Sequence, residues 1–265
     1  MRPVRIVSGA AMAITLAAGS LFLAVPANAA TVNYVALGDS YSAGVGAGNY
    51  DSGSGSCSRS YSAFPALWAN SHAVSSFKFA ACSGARTGDV LNSQLSSLSS
   101  TTTEISITIG GNDAGFSDTM QTCVLNGTSS CLSAVATAKA YATNTLPGQL
   151  ANLYSAIHSK APGAHVVVLD YPHLYQVPGT CWFGISDTSR NAINSAADTL
   201  AGVLAKAAAN AGFSFADVRN QFATHEICGS SDQWLHSTTL PVDESYHPTA
   251  SGQQYGYLPV FSAQA

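Results

Sequence analysis

Ser40 and His247 are the two residues whose types and surroundings suit covalent chemistry on a carbonyl carbon. A serine hydroxyl becomes a useful nucleophile only when a base takes its proton, and the oxyanion that follows needs donors aimed at it. Ser40 lies in Gly38-Asp39-Ser40-Tyr41-Ser42-Ala43-Gly44, directly after the apolar run of residues 32–37. A run that breaks at a glycine and then presents a serine puts the hydroxyl at the carboxyl edge of a sheet, where open α/β sheets bind ligands. Gly38 permits the sharp turn, and Gly44 is read as leaving room beside the group that Ser40 attacks. Alone, the stretch also fits an ordinary strand-to-helix turn with a polar N-cap. Three further pieces stand after other apolar runs: Gly84 in Ala81-Cys82-Ser83-Gly84-Ala85, Asn112 in Gly110-Gly111-Asn112-Asp113, and His247 before Pro248. Ser40 then reads as nucleophile and His247 as base. The backbone N–H groups of Ser40 and Gly84, with the Asn112 amide, read as the oxyanion hole.

The elements that must hold these pieces alternate. Residues 32–37, 77–80, 105–109, 166–169 and 213–218 are apolar and strand-like, and helical spacing recurs over 61–70, 89–98, 133–159 and 187–210. The longest of these helical stretches is expected to bend near Pro147-Gly148, and the last helix to start near Thr249 with Pro248 at its first position. Strands alternating with helices predict a parallel sheet covered on both faces. The expected fold is a three-layer α/β/α domain with a five-stranded parallel sheet over residues 30–265, with no repeat and no linker.

The start of the chain reads as a leader. Arg2 and Arg5 precede an apolar stretch, and Ala27-Asn28-Ala29 is a small-residue cleavage site, so residues 1–29 are expected to be a signal peptide that is removed. A secreted, extracellular protein without a stable membrane anchor follows, and a monomer is expected. Lys and Arg number 10 against 14 Asp and Glu, and losing Arg2 and Arg5 makes the balance more acidic still. Such a chain does not suit nucleic acid, which is bound through clustered basic side chains. The six cysteines of an exported chain imply disulfides. The sequential pairing is expected: Cys57 with Cys82, Cys123 with Cys131 around a short Asn-Gly-Thr-Ser-Ser loop, and Cys181 with Cys228. No Cys-x-x-Cys spacing and no other metal-ligand spacing occurs, so neither metal nor cofactor is expected.

Gly38-Asp39-Ser40, the glycine at 84, Gly110-Gly111-Asn112-Asp113 and the late His247-Pro248 together resemble the SGNH, or GDSL, hydrolases. All four blocks occur in order across almost the whole of residues 30–265, and they are most similar to those of the family's secreted actinobacterial lipases, esterases and phospholipases. The resemblance implies a flavodoxin-like sheet and a serine esterase or lipase activity. One block departs from the family pattern of an aspartate three residues before the histidine: Glu244 holds that place and Asp243 lies one residue earlier. Some members orient the histidine with a backbone carbonyl instead, so Glu244 and Ser245 are the candidates for holding His247. No Gly-x-Ser-x-Gly elbow is present, which argues against the α/β-hydrolase fold.

The function expected is hydrolysis of carboxylic esters of lipids such as acylglycerols. Phospholipid and acetylated polysaccharide are alternative substrates, and a catalytically silent binding module is the alternative of another class. Phe64, Trp68, Trp182, Phe183 and Trp234 are the candidates for an acyl groove. Of the other histidines, His236 is the one expected near the site. Asp39 and Asp113 are expected to hold loops, and Asn126-Gly127-Thr128 to form a turn.

Overall fold

The computed structural model describes Thr31–Ala265 and, before them, Pro3 alone. The leader expected over residues 1–29 therefore lies outside the described residues, apart from Pro3. Five strands, β1 (Val32–Gly38), β2 (Val74–Phe79), β3 (Glu104–Thr108), β4 (His165–Leu169) and β5 (Ser214–Ala216), pair in parallel in the order β2-β1-β3-β4-β5. The connection leaving β1 runs to β2 on one side, and the one leaving its neighbour β3 runs to β4 on the other. That switch point opens a crevice at the carboxyl ends of β1 and β3.

Side-chain alternation explains the two helical layers. Tyr34 and Ala36 of β1 join Val167 and Leu169 of β4 in one core, whereas Val35, Leu37, Val166 and Val168 join the other. The first core is closed by Phe64 and Trp68 of α2 (Phe64–Ser71) and by Phe261 of the last helix (Leu258–Ser262). The second is closed by Val90 of α3 (Thr87–Asn92), Leu150 and Leu153 of α6 (Leu146–Lys160), and Leu204 of α7 (Asp187–Ala211). Every residue of β3 is buried. Each such large apolar side chain contributes about 1.5–3 kcal/mol on leaving water, so the central strands are the least movable part of the domain.

Several boundaries differ from the sequence reading. The stretch between Cys123 and Cys131 is not a loop: α4 (Phe116–Leu125) passes into α5 (Gly127–Asn144) through Asn126 alone, and the disulfide ties these two helices together. The long alanine-rich helix breaks at Thr145, two residues ahead of Pro147, because the proline ring is tolerated only in the first turn of α6. Pro248 does not start the last helix. Residues on either side of it are zipped to an earlier segment, His236 N–H to the His247 carbonyl at 2.9 Å and Thr249 N–H to the Trp234 carbonyl at 2.9 Å. Helical turns begin only after that ladder and widen into a π-helix over Gly252–Tyr257. The strand expected over 213–218 keeps only the three residues of β5.

Candidate active site

The turn after β1 is built so that Ser40 can stand only one way. Gly38 has φ +121°, and a Cβ there would lie 2.3 Å from the Thr108 carbonyl oxygen on β3. The Gln94 side chain holds both backbone groups of Gly38, accepting from its N–H and donating to its carbonyl at 2.8 Å each. Asp39 caps the short helix α1 (Ser40–Ala43) by accepting from Tyr41 N–H at 3.0 Å. The same carboxylate accepts from Thr108 Oγ1 at 2.7 Å and from the Tyr171 hydroxyl. Burial pushes the Asp39 carboxyl up to about 6 against the pull of those donors. Asp39 thus locks Ser40 to β3 and β4, as a loop-holding residue should. Gly44 differs from its expected role: its neighbours are Ala63 and Ser60, so it serves packing behind α1 and not substrate access.

His247 arrives from the far end of the chain. Its Nδ1 lies 3.0 Å from the Ser245 carbonyl and its Nε2 2.7 Å from Ser40 Oγ. A carbonyl oxygen can only accept, so the ring proton resides on Nδ1 and Nε2 is left bare to accept the serine proton. Burial lowers the imidazole to about 4, with the Ser245 carbonyl and the charge of Asp243 acting in the opposite direction. The Glu244 side chain is turned away from the ring and accepts from the Tyr50 hydroxyl at 2.7 Å. It is therefore the backbone of Ser245, rather than the carboxylate of Glu244, that faces Nδ1. Tyr41 donates to the Tyr246 carbonyl at 2.6 Å and so ties the residue after Ser40 to the residue before His247.

The third edge comes from β2 and β3. Cys57 is bonded to Cys82, and Ser83 N–H donates to the Cys57 carbonyl at 3.1 Å, which fixes the segment carrying Gly84. Gly84 has φ +74° and nothing within 4 Å of where a Cβ would be, so its backbone demands glycine while the space beside it stays open. The Asn112 amide donates to the Ala85 carbonyl at 3.0 Å, which joins the turn after β3 to the same segment and leaves its second hydrogen uncommitted. Asp113 accepts from Thr87 Oγ1 at 2.6 Å and from Thr87 N–H. The remaining cysteines are bridged Cys181–Cys228.

An apolar cavity reaches Ser40 and Asn112 and runs between α4, α5 and α7, past Phe116, Met120, Val135, Ile193 and Leu200. None of the aromatic residues expected to form an acyl groove lines it. Phe64 and Trp68 are core side chains, Trp234 stacks on His225 at 3.7 Å, and Trp182 and Phe183 stand in solvent. Sequence reasoning missed these small and aliphatic wall residues, because an amphipathic helix face shows the same pattern whether it meets a core or a cavity. It also missed Tyr171, whose hydroxyl joins Asp39 to Gly111 N–H at 3.3 Å. The proline after it, Pro172, was the available signal that β4 ends there. His236 donates to the Gly46 carbonyl at 2.8 Å on the loop behind His247.

A buried serine bonded to a histidine at the switch point of a parallel α/β/α sheet defines the three-layer serine-hydrolase class. Residues 36–255 match the GDSL-like Lipase/Acylhydrolase family, and the chain belongs to it. It is 58% identical to a lipase of Streptomyces rimosus over 95% of this chain and 93% of that one. The crystal structure of the extracellular S. rimosus lipase superposes with a TM-score of 0.87 and 59% identity, covering 89% of this chain and all of that one. Phospholipase A1 from Streptomyces albidoflavus superposes equally well, at 54% identity with the same coverage. Lipase 1 of Streptomyces coelicolor is 60% identical over 89% of this chain and 88% of its own.

Proposed function

We propose that this protein is a secreted serine hydrolase of lipid carboxylic esters that works through an acyl-enzyme on Ser40. The observation that carries the reading is the 2.7 Å contact between Ser40 Oγ and a bare His247 Nε2, set beside an apolar cavity. His247 takes the Ser40 proton as the hydroxyl oxygen attacks the ester carbonyl. The N–H groups of Ser40 and Gly84 and the free Asn112 amide hydrogen stabilise the oxyanion. His247 then returns the proton to the leaving alcohol, and water attacks the acyl-enzyme by the same route in reverse. The acyl chain lies in the cavity between α4, α5 and α7. Secretion is supported by the disulfides of the described domain and by the extracellular S. rimosus relative.

A series of esters from acetyl to long acyl chains, run beside acetylated xylan and phosphatidylcholine, tests the substrate class. The cavity predicts turnover that rises with chain length beyond acetyl and little release from xylan. A preference for acetyl groups would replace the lipid reading. The S. albidoflavus relative keeps phospholipid as a second substrate of the same site, and cleavage of phosphatidylcholine at a rate comparable with acylglycerol would establish it.

The Ser40–His247 pair works as a dyad oriented by the Ser245 carbonyl. Asp243→Asn and Glu244→Gln are each expected to lower kcat by less than about tenfold, whereas loss of a true triad carboxylate costs about 10⁴. Steady-state kinetics on a soluble ester check this, and a thousands-fold loss in either variant would name the carboxylate instead. The pH profile carries a related signature. Neutral His247 is the competent base, so kcat/KM should be flat at neutral pH and fall as pH drops toward the histidine value of about 4. An acid limb near 6 would report Asp39 instead, and Asp39→Asn would then abolish that limb.

A further inference from the structure

Two loops beside the site end in apolar side chains that stand largely in solvent. Trp182 and Phe183 are 94% and 91% exposed, and Leu240 and Val242 are 84% and 67% exposed. These tips are mounted on fixed stems. Cys181 is bonded to Cys228, and buried Arg190, neutralised by Asp187 at 2.9 Å, donates to the Phe183 carbonyl at 3.2 Å. On the second loop, Thr239 N–H donates to Ser245 Oγ at 3.0 Å, and Thr238 is bonded to the Tyr246 hydroxyl at 2.7 Å. Phe183, Thr238 and Tyr246 line one surface cleft together with Val124 of α4, so the two tips flank the same depression. Val124 and its neighbour Leu125 are themselves 40% and 68% exposed. The cleft adjoins the acyl cavity: α4 sends Met120 into the cavity and Cys123 into the cleft, while α7 sends Ile193 and Arg190.

Charge says what could cover such a surface. Residues 174–186 and 237–242 carry no charged side chain; the acids Asp187, Asp243 and Glu244 follow them, and the histidines that precede them, His173 and His236, are bonded to Asp198 at 2.7 Å and to the Gly46 carbonyl at 2.8 Å. With Arg190 buried and paired, the tips offer no cation for an anionic headgroup. Isolated aromatic and aliphatic side chains projecting from rigid stems suit a fluid partner that closes around them, whereas a folded partner needs matched relief over a larger area. We propose that the Trp182-Phe183 and Leu240-Val242 tips form a docking surface for a lipid–water interface of zero net charge, seated beside the acyl cavity. The inference rests on the lipid-ester reading above, because such a surface sets the cavity against the aggregate from which an acyl chain would be drawn.

Sedimentation of the Ser40→Ala protein with phosphatidylcholine vesicles tests it without hydrolysis of the target. The four-site change Trp182→Ser, Phe183→Ser, Leu240→Ser, Val242→Ser should lower vesicle partitioning by about tenfold or more, since each large apolar side chain withdrawn from lipid weakens binding severalfold. With Ser40 intact, the same four changes should leave kcat/KM on a monomeric short-chain ester within about twofold and lower the rate on emulsified ester by the partitioning factor. Adding phosphatidylglycerol to the vesicles should not strengthen binding, because the acids at the rim repel an anionic surface. Equal partitioning of the four-site variant and the parent overturns the proposal. So does a parent that is dimeric in sedimentation equilibrium where the four-site variant is monomeric, since the occupant is then a second copy. Vesicle binding is read without turnover, and turnover of the monomeric ester without vesicles. Failure of this surface is therefore distinguishable from failure of the ester-hydrolase reading.

Discussion

Ser40→Ala is expected to lower kcat for ester hydrolysis on the order of 10⁶-fold while leaving the fold intact. The size follows from what the hydroxyl does. Without Oγ no acyl-enzyme forms, and the bare Nε2 of His247 has nothing to deprotonate at the carbonyl carbon except water held in the wrong place. Stability should change little. The Ser40 side chain has His247 as its partner, and the turn is held by Gln94, Asp39 and Thr108, all of which the substitution leaves untouched. Removing the hydroxyl does leave a buried imidazole nitrogen unpaired, a penalty of about 1–3 kcal/mol at most. Thermal unfolding beside stopped-flow kinetics separates the two effects. Covalent labelling of the parent by a serine-directed phosphonate, absent in the variant, ties the loss to Oγ. A variant that keeps a tenth of the parental kcat would sink the assignment of Ser40.

Much of the fold was legible because its signals are local. β1, β3 and β4 are largely apolar runs with a glycine or proline at or shortly after their ends, and alternation between strands and helices dictates a parallel sheet. Ser40, Gly84, Asn112 and His247 were legible for a related reason: each follows a strand or sits in a short block whose residue types have few other uses. What was not legible depends on which of two equivalent surfaces a residue meets. Met120, Val135 and Ile193 occupy the apolar faces of helices, and nothing in their spacing separates the wall of a cavity from the inside of a core. Conversely, Phe64 and Trp68 look suited to a groove but close the layer over Tyr34, with Trp68 edge-on to its ring at 5.0 Å. The carboxylate question has the same character. Spacing made Glu244 eligible, but a carboxylate goes to whichever donor is within reach, and Tyr50, far away in sequence, is there first.

Asn112→Ala is expected to lower kcat by roughly 10²–10³ with KM nearly unchanged, the effect of removing one oxyanion-hole donor. The amide has two hydrogens, and the structure commits one of them to the Ala85 carbonyl at 3.0 Å. That bond gives Asn112 a structural duty as well, since it joins the turn after β3 to the Gly84 segment. The two duties predict different outcomes. A donor to the oxyanion acts on charge that exists only in the transition state, so its loss appears in kcat and not in KM. A tether alone would let the Gly84 segment drift, lowering the melting temperature, loosening ground-state binding and raising KM, with a small loss of kcat. Asn112→Asp sharpens the choice: it keeps the shape, offers no hydrogen when ionised, and brings negative charge toward a developing anion. If Asn112 is a donor, the aspartate variant should turn over no faster than the alanine variant at neutral pH. The loss of either should exceed about 2.7 kcal/mol in transition-state stabilisation. Should Asn112→Ala instead retain more than a third of parental kcat, the oxyanion would be held by the backbone N–H groups of Ser40 and Gly84 without it.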